Sequence, residues 1–244
     1  MSTKVYHEIT AFCFLIIAMI WASAAITKRF ADKSYFALNT SILLFALVDS
    51  IWGMAVCGQI PCSNPMRMVL CSLYFIFLVL SIVTLAHYLA RRLRTRALVQ
   101  CFQLLFLGIF GITAAVVVIN FWSPILFEIS PDGRYVRGSF FPVLYFGILL
   151  LYAAMLMPIL RGQNSDRRER GMLLISYMVP MVLTLLQYLL PDFPFFIMAF
   201  TMELIGTALT VEYQQRRMLM DALAAAEHAN SAKTTFLSNM SHDI

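Results

Sequence analysis

Near the end of this 244-residue chain, His242 is followed directly by Asp243. A neutral imidazole nitrogen is a nucleophile near neutral pH, and an adjacent carboxylate can orient the ring and take its proton. Two further acids, Asp49 and Glu203, lie deep in apolar sequence. An ionisable side chain at the centre of a bilayer costs about 2.5 to 3.5 kcal/mol on insertion scales, so it faces a bundle interior or water. Such a group either senses a ligand, an ion or a proton, or fills a protonated or hydrogen-bonded structural role. Neither acid has a lysine or arginine mid-span to pair with. Asp132, Tyr135 and Arg137, together with Arg134, could line an anion or peptide site, or could pin their loop to its neighbours. Cys57 and Cys62 bracket the short loop Gly-Gln-Ile-Pro. An oxidising compartment permits a disulfide between them if the loop turns, the alternative being two free thiols. Cys13, Cys71 and Cys101 fall in apolar runs and read as small packing residues.

Several chemistries are excluded by what the chain lacks. It has no phosphate loop, no metal-spaced Cys/His cluster and no nucleophile elbow. Its lysines are Lys4, Lys28, Lys33 and Lys233, none of them mid-span, so a retinal Schiff base has no attachment point. His7 and His87 fall near opposite faces and cannot share one haem.

The elements that must position these residues are apolar. At 61% hydrophobic and 13% charged residues, with a mean hydropathy of +0.79, the chain exceeds the about 45 to 50% apolar share of soluble domains. Hydrophobic runs of about 20 residues can cross a hydrocarbon core of about 30 Å as helices. Seven are read here, over Thr10–Ile26, Phe36–Val56, Met68–Ala90, Ala97–Phe121, Ser139–Leu160, Met172–Leu190 and Phe195–Val211. They are too long for barrel strands and lack period-two alternation. The fold class is therefore all-α, a polytopic membrane protein of seven transmembrane helices followed by a cytoplasmic coiled-coil helix.

Charge sets the expected orientation. Lys28, Arg29, Lys33, Arg91, Arg92, Arg94, Arg96, Arg161, Arg167, Arg168, Arg170, Arg216, Arg217 and Lys233 fall on one side. Lys4, Arg67, Arg134 and Arg137 fall on the other. The positive-inside rule then puts the N-terminus outside and the C-terminus in the cytoplasm. The net charge of +5 reports topology rather than nucleic-acid binding, and anionic lipid headgroups are the partners it suits. A cleaved signal peptide, suggested by Ala22-Ser-Ala24, would leave a basic loop on the wrong face.

Past Val211 the hydropathy falls, yet helix formers continue without proline or glycine through Asp221-Ala-Leu-Ala-Ala-Ala-Glu-His-Ala-Asn230. Met218, Ala222, Ala225, Ala229, Ala232 and Phe236 follow a heptad spacing that would seam two copies in a parallel coiled coil. An alanine-rich solvated helix is the plainer alternative.

The closing run, Phe236-Leu-Ser-Asn-Met-Ser-His-Asp-Ile244, resembles the H-box of bacterial sensor histidine kinases. That pattern reads Phe-Leu-(Ser/Ala)-Asn-Met-Ser-His-(Glu/Asp)-(Ile/Leu)-Arg-Thr-Pro, and the match stops before Arg-Thr-Pro, as expected of the front part of a longer protein. The resemblance implies that His242 is a phosphoacceptor and Asp243 its general base. A second run, Asn120 to Phe140, looks like the exterior loop of the seven-helix regions on some bacterial histidine kinases and diguanylate cyclases, through Leu126-Phe127, Asp132-Gly133, Tyr135 and Arg137-Gly138. Between Trp122 and Gly138 the prolines and Asp-Gly read as a turn flanked by short extended pieces.

Together these imply a sensor at residues 1–211, a signalling helix at 212–235 and the start of a dimerisation and phosphotransfer domain at 236–244. The family implies Mg-ATP bound by a downstream domain, none in this chain, and a homodimer in the bacterial inner membrane. It also implies phosphotransfer to a response regulator, with the stimulus left unnamed. The competing classes are a non-catalytic membrane receptor and a transporter coupled through Asp49 and Glu203. The transporter reading lacks an evident internal repeat.

Overall fold

Backbone groups in hydrocarbon have no water to bond, so a single chain segment crossing it must satisfy them internally as a helix. In the computed structural model the long apolar runs are helical. The structure describes residues 3–27, 29, 32–56, 58–92, 96–161, 167–190 and 193–242, with backbone alone for 3–4, 96–103, 106 and 236–242. The elements are α1 (Thr3–Ile26), α2 (Lys33–Val56), α3 (Asn64–Arg92), α4 (Arg96–Ile119), β1 (Phe127–Ile129), β2 (Tyr135–Arg137), α5 (Phe141–Leu160), α6 (Arg167–Leu189) and α7 (Phe195–His242).

Six of the helices, α1, α2, α3, α5, α6 and α7, are long and apolar enough to cross a membrane. This is one fewer than the sequence predicts. The seventh run falls on α4, a helix of 24 residues in which Leu107–Ile119 is the unbroken stretch described with its side chains. Among the described residues the regular structure is thus helical apart from one small hairpin, with the character of a multi-pass membrane protein.

The chain divides into two compact units, Met1–Gly206 and Thr207–Ile244. In the first, successive helices alternate in direction. At one end the start of α3 and the ends of α2 and α6 gather on the β1–β2 hairpin. At the other, Arg92 near the end of α3 meets Glu169 near the start of α6.

Burial in this unit inverts the soluble pattern. Phe12, Leu15, Met19, Leu107, Ile112, Phe146, Leu150 and Ile175 are exposed, whereas Thr10, Asn39, Ser41, Ser81, Thr113 and Thr184 are buried. Lipid is as apolar as leucine, so helices gain by close packing of small residues and by bonds between polar ones. Ser41 of α2 and Thr84 of α3 share a hydrogen bond of 2.7 Å. Large side chains fill the remaining interior, Phe45, Phe75, Tyr152, Tyr177 and Phe200 among them.

The second unit is helical over its described residues. Every side chain from Gln215 to Thr235 is exposed, including Met218, Leu219, Met220 and Leu223. Arg216 and Glu212 pair across one turn at 2.7 Å. His242 is the last residue of α7, its side chain outside the described set, and Asp243 lies outside the described residues altogether.

Candidate functional site

The hairpin is built by its turn and its anchors. Pro131 and Asp132 occupy the corner between Ser130 and Gly133, whose N–H donates to the Ser130 carbonyl at 2.7 Å. Proline presets the first corner angle, and Gly133 takes a φ of 76° that a side chain would resist. β1 and β2 then pair antiparallel with Phe127 opposite Arg137 and Ile129 opposite Tyr135, while Glu128 and Val136 face outward and are exposed.

Anchors on three helices fix this hairpin. Asn120, beyond the end of α4 and 1% exposed, accepts from the backbone N–H of Leu126 at 2.7 Å and of Phe127 at 3.2 Å, and donates to the Phe127 carbonyl at 2.8 Å. Arg67 of α3 donates to the Gly133 carbonyl at 2.6 Å, and Asn64 to that of Pro131 at 3.2 Å. Arg137 donates to the carbonyls of Tyr188 at 3.1 Å and Gln187 at 3.3 Å, at the end of α6. There the last carbonyls have no helical partner and the helix dipole favours a cation. Its guanidinium also lies 4.4 Å from the Phe141 ring centre and 5.8 Å from that of Tyr188.

Beneath the hairpin, Asp49 is 2% exposed and accepts a hydrogen bond of 3.1 Å from the Tyr6 hydroxyl. Tyr6 approaches because residue 53, one turn along α2, is glycine: a Cβ there would sit 3.1 Å from the Tyr6 ring. The hydroxyls of Tyr74 and Tyr145 lie within electrostatic reach of the Asp49 carboxyl, and Tyr74 is also within reach of Tyr135. Aromatic contacts close the surround. Trp52 meets Tyr135 edge-on at 6.1 Å, and Tyr135 stacks on Phe127 at 6.2 Å. Phe127 stacks on Phe75 at 5.7 Å, and Phe45 packs on Tyr74 at 5.2 Å. Burial pushes the Tyr135 phenol well above its ordinary pKa and keeps it neutral. The arrangement is one buried carboxyl bonded to the Tyr6 hydroxyl, with a run of ring contacts leading from Trp52 through Tyr135 and Phe127 to Phe75.

Glu203 belongs to a second cluster. It is 1% exposed, and its Oε1 accepts from the Tyr152 hydroxyl at 2.6 Å. Its other oxygen and the Tyr177 hydroxyl are both buried without a hydrogen-bond partner among the described residues. Tyr177 lies within electrostatic reach of Glu203, and also of Tyr88 and Arg92. Arg92 in turn donates to the Tyr88 hydroxyl and pairs with Glu169 at 3.3 Å, with about a tenth of each side chain exposed. Polar side chains therefore line the interior from Glu203 to the end of the unit opposite the hairpin.

The two acids singled out by sequence are thus both buried, in different clusters. Asp49 shares its surround with Tyr135, whereas Asp132 and Arg134 stand exposed on the hairpin. Arg137 serves the end of α6. Cys62 is half-buried before α3, and Cys57 lies outside the described residues. Sequence reasoning did not single out Tyr6, Trp52, Tyr74 and Tyr145, because aromatic residues in apolar runs carry no periodic signal that separates lining from core. It also passed over Asn120, although an asparagine ending an apolar run is the kind of polar group that must find backbone partners. No protein-family model matches the chain, and no curated protein matches it.

Proposed function

We propose that the chain is the membrane sensor of a two-component signal-transducing histidine kinase, carrying the start of its phosphoacceptor region. The observation that carries this reading is the sequence run Phe236–Ile244 with its histidine-acid pair, of which the residues up to His242 belong to α7. On this reading His242 attacks the γ-phosphorus of Mg-ATP held by a domain further along the protein, the bond to the β-phosphate oxygen breaks and ADP leaves, Asp243 takes the imidazole proton, and an aspartate of a response regulator then takes the phosphoryl group as the N–P bond breaks and His242 is freed. α4 serves as the seventh span, and the chain sits in a bacterial inner membrane with its N-terminus outside and His242 in the cytoplasm. The concentration of Arg91, Arg92, Arg167, Arg168 and Arg170 at the end of the unit away from the hairpin supports that orientation. The exposed, weakly apolar stripe through Met218, Ala222, Ala225, Ala229 and Ala232 suits a homodimeric coiled coil.

The test is phosphoryl incorporation from labelled ATP into the full-length gene product in membranes. Native protein is expected to take label and His242→Gln to take none, with Asp243→Asn slowed. Native protein that stays unlabelled beside an active control kinase would overturn the reading in favour of a non-catalytic receptor or a transporter.

A further inference from the structure

We propose that Glu203 is an exchangeable proton site in the bundle interior, a neutral carboxylic acid at pH 7 whose Oε1 is the carbonyl oxygen and whose Oε2 carries the hydrogen. The residue is 1% exposed, and the Tyr152 hydroxyl of α5 donates to Oε1 at 2.6 Å. Oε2 is buried as well, and no donor among the described residues bonds to it. An ionised carboxylate is acceptor-only, with room for about four hydrogen bonds, so in that form Oε2 would be stripped of water and given nothing in exchange.

Charge points the same way. Among the described residues the ion pairs join Arg92 to Glu169 and Arg216 to Glu212, and no lysine or arginine pairs with Glu203. The titratable side chains that face it are Tyr152 of α5 and Tyr177 of α6. Tyr88 and Arg92 of α3 lie within electrostatic reach of Tyr177, and the charge of Arg92 is matched by Glu169 of α6. α1 and α2 meet α7 just before Glu203, Cys13 at Thr201 and Phe45 at Phe200, and bring it no charge. A carboxylate buried without a counter-charge takes up a proton rather than bear its desolvation. One proton from water forms the O–H bond at Oε2, cancels the charge and displaces no other group. A proton needs no cavity, whereas a metal ion needs several ligands, and no group of three His, Cys, Asp or Glu gathers among the described residues.

The site touches three helices. Tyr177 follows Ser176, the residue against which a Cβ at Gly206 would stand, and Gly206 lies three residues beyond Glu203 on the same side of α7. The Tyr177 hydroxyl is itself buried without a hydrogen-bond partner among the described residues. Loss of the proton would therefore set an unmatched charge where α5, α6 and α7 pack on one another. That such a change is a stimulus, felt on the helix that continues to His242, rests on the sensor reading above; the proton site does not.

The experiment is infrared difference spectroscopy of the full chain in nanodiscs, native minus Glu203→Gln and native minus Tyr152→Phe, over a range of pH. The Asp49 carboxyl is common to all three proteins and cancels. At pH 7 an exposed glutamate, with a pKa of about 4.3, is ionised. Native minus Glu203→Gln should nevertheless show the carbonyl stretch of a protonated carboxyl and no carboxylate stretches. Native minus Tyr152→Phe should show that band paired with one from the variant at higher wavenumber, because the carbonyl oxygen has lost its hydrogen bond. This second difference keeps the site testable if the glutamine variant does not fold. Raising the pH should remove the native band reversibly and bring carboxylate stretches in its place. Carboxylate stretches at pH 7 in the first difference, a band unmoved by Tyr152→Phe, or a band that persists until the protein unfolds would overturn the proposal. None of these results depends on whether His242 takes phosphate, so failure here and failure of the kinase reading are told apart.

Discussion

A methyl group added at Gly206 is a small perturbation with a sharply defined consequence. A Cβ there would stand 1.9 Å from Ser176 Oγ, 2.6 Å from Ser176 Cβ and 3.4 Å from Ser176 Cα. Carbon atoms in contact prefer about 3.5 to 4.0 Å, so α6 and α7 must part locally by about 1.5 Å or the serine must move. The serine is not free to do so, because its hydroxyl donates to the Met172 carbonyl at 2.7 Å and its backbone is mid-helix. Overpacking of this kind costs about 1 to 3 kcal/mol, and Gly206→Ala should lose that much despite alanine's better helix propensity. Ser176→Ala removes the 1.9 Å contact but leaves the one at 2.6 Å, so it should rescue only in part. Ser176→Gly leaves only Cα at 3.4 Å and should rescue the clash, less about 1 kcal/mol for glycine in a helix. The measurement is reversible unfolding in mixed detergent and dodecyl sulfate, followed by circular dichroism, for the four proteins of the cycle. Single-variant losses that add within about 0.5 kcal/mol in the double variant would refute the close approach of these helices.

Asn120→Ala strands the Leu126 and Phe127 amides and the Phe127 carbonyl. It should cost about 2 to 4 kcal/mol, and hydrogen exchange at those two amides should accelerate ahead of the bundle; unchanged protection would count against the anchor. Arg92→Gln leaves Glu169 buried beside an uncharged partner and should cost about 3 to 5 kcal/mol, part of it recovered when Glu169→Gln is added, as read by the same unfolding assay. Asp32 precedes α2 and accepts from the Ser34 amide at 2.8 Å and hydroxyl at 2.6 Å. Burial raises its pKa, but those bonds and the Arg91 charge outweigh burial and hold it below the ordinary carboxylate value. A depressed folded pKa means the stabilisation is present at neutral pH and disappears as pH falls through that value. Asp32→Asn should therefore flatten the acid limb of a stability profile, and an identical limb in both proteins would refute the assignment.

How much of this was legible from sequence follows from what each feature costs. Helices announce themselves because an apolar run has few ways to satisfy its backbone, and each of the seven runs falls on a helix, with bounds that differ by one or two residues at Asn120–Phe121, Ser139–Phe140 and Leu190. The hairpin was readable at its corner, where Pro131 and Gly133 fix backbone angles locally. Its anchors were not, because Arg67, Asn120 and Arg137 act on carbonyls and amides that only tertiary structure brings near. Asp49 and Glu203 stood out as charges in apolar sequence, yet nothing in the chain's order says that one lies among Tyr6, Tyr74 and Tyr145 and the other with Tyr152 and Tyr177. A tyrosine in a membrane run reads as packing until its hydroxyl is seen to have a partner.

The hairpin gives the Asp49 surround a mechanical consequence. Tyr135 and Arg137 stand two residues apart on one strand and so face the same way, the first over the Asp49 cluster and the second on the end of α6. The strand is short and paired along its length, and the turn beside it is held by Arg67. Tyr135 is thereby coupled along the strand to the Arg137 contacts with the carbonyls of Gln187 and Tyr188. α6 is the helix whose Ser176 abuts Gly206 of α7 without room for a methyl group. Interfaces packed that closely have few intermediate positions, so a shift of α6 forces either a slide or a parting of the pair rather than a graded deformation. The glycine that makes the contact tight is thus also what would make it respond, and the Gly206→Ala cycle tests the same contact that a signal from the hairpin would have to cross.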